Sequence, residues 1–159
     1  MMNLSPATVR PALPGDLGAI LDIEKSCRTV TWSAGAFVAE LSGERSINLV
    51  ALDENGTLCG FVFAALAADE LEIYTLAVDP KFRRRGFATR LLRAAAEEAR
   101  RRGAASVYLE VRSKNQPAQS LYLFLGFDIR WIRRKYYSDD GDDAIVMSAD
   151  LDTVVPLHS

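Results

Sequence analysis

Leu76-Ala77-Val78-Asp79-Pro80-Lys81-Phe82-Arg83-Arg84-Arg85-Gly86-Phe87-Ala88-Thr89 joins a buried-looking strand to a long helix, and the chemistry of that junction decides the fold. Residues 71–78 read as a strand closed by Asp79-Pro80. Residues 87–101 read as an amphipathic helix, with Phe87, Leu91, Leu92, Ala95 and Ala99 inward and arginines and glutamates outward. The first turn of a helix offers unpaired N–H groups and a partial positive charge. Gly86 lets backbone approach a ligand closely, and small Ala88 does the same one step later. Arg84 and Arg85 beside the turn add charge-assisted hydrogen bonds to phosphate oxygens, so the junction suits a pyrophosphate. An exposed basic helix start is the structural alternative for any RRRG taken alone. A dinucleotide fingerprint is excluded, because one glycine of G-x-G-x-x-G is present, and a P-loop is excluded by the missing G-K-[ST].

Outward from this junction the pattern stays regular. Residues 8–11 read as a first strand, and Pro14-Gly15-Asp16 starts a helix carrying Leu17, Ile20, Leu21 and Glu24. Ser33 caps a second helix through about Leu41. Residues 46–53 and 57–67 are strands joined at Asn55-Gly56, a strong hairpin signal. After Gly103 come a strand at 106–111, a helix from Asn115 to Leu125 stopped by Gly126, and strands at 127–133 and 144–151 around the acidic loop 138–143. This order predicts an α/β fold with a mixed sheet and helices on both faces, in a single domain over 1–159.

Composition narrows the function classes. A chain of 159 residues with 49% apolar and 25% charged residues fits one soluble globular domain. The net charge of -2 gives no global basic field for nucleic acid, while the local clusters Arg83-Arg84-Arg85 and Arg133-Arg134-Lys135 suit a small anion. No apolar run of about 18 residues predicts a membrane span, and Met1 to Arg10 lacks the pattern of a signal peptide, so a cytoplasmic protein is expected. Cys27 and Cys59 read as packed free thiols without metal-ligand spacing. His158 is the only histidine, which removes Ser-His-Asp triads, Cys-His pairs and histidine-rich metal sites; no metal is expected. Acid–base work falls to carboxylates, tyrosine, cysteine or lysine. The sequence says nothing of oligomeric state.

Arg83-Arg84-Arg85-Gly86-Phe87-Ala88 resembles the R/Q-x-x-G-x-G/A signature of the GNAT acetyltransferases. The resemblance implies acetyl-CoA as acetyl donor, its pyrophosphate on the backbone amides of 84–89 and its pantetheine arm along Leu76, Ala77 and Val78. It also implies a mostly antiparallel GNAT sheet with one splayed strand pair for acetyl-CoA. Residues 109–115, then 121–127 with Tyr122 and Gly126-Phe127, then Arg133-Arg134-Lys135-Tyr136-Tyr137 are similar to RimI-type alanine N-acetyltransferases, which acetylate the N-terminus of small-subunit ribosomal protein eighteen. Strong similarity covers about residues 71–151, with Trp32-Ser33 a weaker match upstream. Ala88 stands where many relatives have glycine, and Phe87 and the triple arginine are less usual there.

Alternation along 107–111 turns Tyr108, Glu110 and Arg112 to the face opposite Val107, Leu109 and Val111. An amine must be neutral to attack, and a carboxylate, directly or through water, can take its proton. A surface glutamate paired with an arginine is the plainer reading of Glu110. The resemblance places the family's base there, with Glu72 the second candidate. Tyr122 lies two turns after Asn115 on one helix, so their side chains are expected on a shared face. The plainer reading is a core tyrosine; the family pattern makes Tyr122 the acid for the leaving CoA thiolate and Asn115 a CoA contact. The implied mechanism is direct attack in a ternary complex, and mid-strand Cys59 is a poor acetyl carrier. Trp32, Arg134, Tyr136, Tyr137 and the acidic loop are acceptor-side candidates, the loop either drawing a basic peptide N-terminus or standing as a solvated turn. Other amine acceptors, a lysine side chain or a small molecule, and a non-catalytic acetyl-CoA-binding module remain the competing readings.

Overall fold

The computed structural model describes residues 7–27 and 32–156. His158 and the first six residues of the N-terminal segment lie outside the described residues. The elements are β1 (Thr8–Pro11), α1 (Leu17–Cys27), α2 (Ala34–Leu41), β2 (Ser46–Leu52), β3 (Leu58–Ala67), β4 (Glu70–Val78), α3 (Phe87–Arg101), β5 (Ser106–Arg112), α4 (Gln116–Phe124), β6 (Asp128–Arg133), β7 (Ala144–Asp150) and α5 (Leu151–Val154). Short 3-10 turns at Pro14–Asp16 and Pro80–Phe82 precede α1 and α3. The strands form one seven-stranded sheet in the order β1-β2-β3-β4-β5-β7-β6. The β1–β2, β2–β3, β5–β7 and β6–β7 pairs are antiparallel and β4–β5 is parallel, so the sheet is mixed and mostly antiparallel. No described helix is long and apolar enough to cross a membrane.

The chain divides into two compact units, Met1–Ala65 with Tyr74–Ala95, and Leu66–Ile73 with Ala96–Ser159. The first is built on aromatic packing. Ile20 and Ile23 of α1, Phe37 of α2, Val50 of β2, Phe61 and Phe63 of β3 and Ala77 of β4 form its core, with Phe37, Phe61 and Phe63 meeting edge to face. The β2–β3 turn is held by buried Asp53, whose Oδ1 accepts from the amides of Asn55 and Thr57, with Gly56 at φ 80°. Gly60 lets β3 run close to β4: a Cβ there would lie 2.9 Å from the Ala77 carbonyl oxygen.

In the second unit β5 buries Val107, Leu109 and Val111 on one face, as its alternation requires, and turns Tyr108, Glu110 and Arg112 to the other. Register carries that second face outward. Glu72 pairs with Tyr108 on one side, and Ser148, Val146 and Ala144 of β7 pair with Tyr108, Glu110 and Arg112 on the other. Asp128, Trp131 and Arg133 of β6 continue it, across a bulge that leaves Arg130 unpaired in the register. The β4–β5 register ends at Ile73↔Leu109, although β4 continues to Val78 and β5 to Arg112. One sequence expectation is corrected at the last strand. It stops at Asp150, and Leu151 opens the short α5, its amide donating to Ala105 O at 2.9 Å.

Candidate active site

The turn before α3 is shaped by its own residues. Asp79 Oδ1 accepts from the Lys81 amide at 3.0 Å, with Pro80 following. Arg84 at φ 64° and Gly86 at φ 82° are both left-handed, flanking Arg85. For arginine that conformation costs about 1–2 kcal/mol, so the surrounding structure holds it there. The Gly86 carbonyl accepts from the Arg90 amide at 3.1 Å, which makes Gly86 the residue from which α3 starts. The first four amides of the helix, from Gly86 to Thr89, have no carbonyl one turn back to bond. A Cβ built on Gly86 would meet no protein atom within 4 Å, so the space over it is open. These features fit an anion of pyrophosphate type.

The arginines divide their work. The Arg85 guanidinium pairs with Glu54 at 3.0 Å and lies 5.6 and 5.4 Å from the Phe82 and Phe87 ring centroids. Its side chain is therefore engaged in holding the turn, where the sequence offered it to phosphate. Arg83 reaches the Cys27 sulfur at 3.6 Å, and Arg84 is exposed. Within the same unit Ala77 is buried, while Leu76 and Val78 are half-buried on β4. Trp32 is half-buried, its ring 5.0 Å from Phe37, 6.1 Å from Phe63 and 5.6 Å from Tyr74. Cys59 is fully buried, and burial pushes its thiol up to about 11, which leaves it unsuited to nucleophilic attack.

In the second unit Glu110 sits between a cation and a phenol. Arg133 Nε lies 3.3 Å from its carboxylate, and the Tyr136 phenol stands near enough to feel its charge. The Glu110 charge chiefly pushes the Tyr136 phenol up, so Tyr136 keeps its proton. Tyr137, 5.2 Å from the Tyr136 ring, is pushed up to about 12 by burial and then by the Glu110 charge. Arg112 stacks over Tyr137 at 3.9 Å. Tyr122 is buried on α4, its ring 5.6 Å from Phe127, and burial raises its phenol far above neutral pH. It carries its proton under all working conditions. Asn115 caps α4, Oδ1 accepting from the Ala118 amide at 3.2 Å, and is exposed where Tyr122 is buried. As a cap residue, Asn115 turns its side-chain oxygen back to the first turn of its own helix.

Most carboxylates of the acidic loop are paired with cations from the segments that flank it. Arg112 pairs with Asp139 at 2.9 Å and Asp140 at 3.1 Å, Lys114 lies 3.8 Å from Asp140, and Arg134 pairs with Asp143 at 3.2 Å. Asp142 is buried and accepts from the Ser113 hydroxyl and, at 3.1 Å, the Lys114 amide; the Ser113 hydrogen bond chiefly holds its carboxyl below the ordinary range. The loop residues 138–141 are exposed, as a solvated turn requires, and their carboxylates are also paired with these cations. Among the described residues no group of three or more His, Cys, Asp and Glu side chains is placed to hold a metal ion. Sequence reasoning passed over Glu54, Gly60 and Trp131. Trp131 was within reach, because alternation along β6 places it with Arg133; Glu54 and Gly60 act through partners distant in sequence.

The model of the acetyltransferase (GNAT) family matches residues 17–127, which run through both units. The chain is 38% identical over 135 residues to the [ribosomal protein bS18]-alanine N-acetyltransferase of Escherichia coli, covering 84% of this chain and 90% of that one. It is 37% identical over 123 residues to the N-alpha-acetyltransferase RimI of Mycobacterium tuberculosis, covering 75% of each. The crystal structure of the ribosomal-protein-S18-alanine N-acetyltransferase from Escherichia coli superposes with a TM-score of 0.81 at 36% identity, covering 91% of this chain and 94% of that one.

Proposed function

We propose, for a chain that belongs to the GNAT family of acetyltransferases, that its acceptor is a protein N-terminus, specifically the N-terminal alanine of a small-subunit ribosomal protein. The chain is an N-acetyltransferase that takes its acetyl group from acetyl-CoA. We further propose that residues 1–159 work as a single acetyltransferase domain in the cytoplasm, without nucleic acid or membrane as partner. Extended similarity to alanine N-acetyltransferases supports the acceptor.

The observation that carries the chemistry is Glu110, paired with Arg133 and near the Tyr136 phenol on the face of β5 opposite its buried residues. Bound acetyl-CoA supplies a thioester, an activated acyl group whose leaving atom is a sulfur. The amides of 84–89, with Arg84, Arg85, Gly86, Phe87, Ala88 and Thr89, receive its pyrophosphate, and the backbone of Leu76, Ala77 and Val78 pairs with its pantetheine arm. The Asn115 amide nitrogen, left over from capping, donates to CoA. Glu110 takes the proton of the attacking amine, directly or through water. An α-amine with a pKa of about 7.7–8.0 asks less of such a base than lysine at about 10.4. Tyr122, protonated throughout, donates to the departing sulfur. Trp32, Arg134, Tyr136 and Tyr137 contact the acceptor.

Initial rates with acetyl-CoA on peptides beginning Ala-Arg, compared with N-terminally blocked peptides carrying lysine, test the acceptor. Faster turnover of the free N-terminus is expected. Preference for the blocked lysine peptide would overturn the N-terminal reading.

A further inference from the structure

Most carboxylates around β5 are answered by a neighbouring cation or hydroxyl. Glu110 has Arg133 and Tyr136. Asp139, Asp140 and Asp143 have Arg112, Lys114 and Arg134. Glu70 accepts from the Ser106 hydroxyl. Glu72 differs: it is half-buried, and among the described residues no lysine or arginine pairs with it. A partly desolvated carboxylate with no cation beside it among the described residues is a place where a cation from a ligand is favoured.

Its position says where that cation would come from. Glu72 is the register partner of Tyr108, and Glu110 is the next residue of β5 on the same face. The two carboxylates are therefore diagonal neighbours across parallel strands, on the order of 7–8 Å apart at the backbone. The Glu72 charge also acts on the Tyr136 phenol, the same phenol that the Glu110 charge raises most. A peptide advances roughly 3.3–3.6 Å per residue. A peptide whose α-amine stands at Glu110 thus brings the side chain of its second or third residue within reach of Glu72.

We infer that Glu72 selects a cationic side chain, lysine or arginine, at the second or third position of the acceptor. This rests on the N-terminal reading above and replaces the acidic loop as the source of basic preference. Glu72 acts here on acceptor binding, and Glu110 alone takes the amine proton.

The test is a charge series, with peptides beginning Ala-Arg, Ala-Ala and Ala-Glu assayed on wild type, Glu72→Gln and Glu72→Lys. Wild type should prefer Ala-Arg. In Glu72→Gln the ratio of kcat/KM for Ala-Arg over Ala-Ala should fall about tenfold, the size of one charge-assisted hydrogen bond partly screened by water, and the loss should lie in KM. In Glu72→Lys the preference between Ala-Arg and Ala-Glu should invert, a gain on Ala-Glu that misfolding cannot produce. An unchanged ratio in Glu72→Gln would overturn the assignment while leaving the N-terminal reading in place. So would an equal fall of kcat on all three peptides with an altered pH profile, which would make Glu72 a base. Wild type turning over none of the peptides would sink the N-terminal reading and this inference with it.

Discussion

Glu110 pairs with one cation and lies near one phenol, and that arrangement fixes what its removal should do. Glu110→Gln keeps a hydrogen-bond acceptor for Arg133 but cannot take a proton. Turnover should fall by about a hundred- to ten-thousand-fold, the usual contribution of a general base. The fall should be larger at pH 6.5 than at pH 8.5, because above about 8 most of an α-amine is already neutral. Tyr122→Phe should lower kcat at every pH across that range with little change in acetyl-CoA affinity, since burial keeps the phenol protonated throughout. Rate profiles near wild type for both variants from pH 6 to 9 would refute these roles. The place of Glu110 was legible in the sequence, because strict alternation along 107–111 leaves no freedom about which face it takes. The company it keeps was not. Arg133 and Tyr136 arrive from a hairpin whose path depends on Asp142 and Asp143 accepting hydrogen bonds from Ser113 and the Lys135 amide, contacts that no local pattern announces.

At the scale of elements, the junction between β4 and α3 combines a legible and an illegible half. Gly86 and the helix start could be read from composition, since glycine ahead of an amphipathic run has few other uses. Gly86→Val should strain a position at φ 82° and fill the open space above it, weakening acetyl-CoA binding more than tenfold while the chain still folds. Calorimetry finding unchanged affinity in the folded variant would remove the pyrophosphate from this turn. Gly60 is the illegible half, because its need comes from a strand seventeen residues on. A Cβ at Gly60 would also meet Leu91 and Val78 side-chain atoms at 3.2 Å, so β4 and α3 both press on the site. Gly60→Ala should cost about 1–3 kcal/mol, the range for overpacking. It should also raise the acetyl-CoA Kd, because the displaced carbonyl belongs to Ala77 in the strand assigned to the pantetheine arm. Thermal melts and CoA titrations of this one variant separate the two effects. A stability loss with unchanged Kd would detach the 76–78 backbone from donor binding.

The molecule as a whole carries two opposite proton linkages, one at each end of the pH scale. Asp16, Asp139 and Asp142 are held below the ordinary carboxyl value, chiefly by hydrogen bonds from Arg10, Arg112 and Ser113. As pH falls below about 4 the unfolded chain takes up these protons first, so stability present above that value is lost on acidification. Cys59 and the tyrosines lie on the other limb. Burial lifts the Cys59 thiol from 9.0 to about 11, and Tyr137 from 10.0 to about 12. Here the unfolded chain gives up its proton first, so stability present below the unfolded value drains away as pH rises through the folded one. Cys59 has the lower unfolded value and sits with no exposed surface in β3, its sulfur 3.3 Å from the Ala51 carbonyl oxygen. It should therefore open the alkaline limb. Melting temperatures of wild type should begin to fall near pH 9, one step before the tyrosines ionise in the unfolded chain. In Cys59→Ala the absolute melting temperature should be lower, because a buried sulfur is lost. Its fall above pH 9 should be shallower than in wild type, since only the Cys27 thiol, also raised by burial, is left to titrate there before the tyrosines. Surface charge repulsion grows with pH in both proteins alike, so the difference between the two curves isolates the thiol. Parallel curves from pH 8 to 11 would show that Cys59 does not govern the alkaline limit and would return that role to the buried tyrosines.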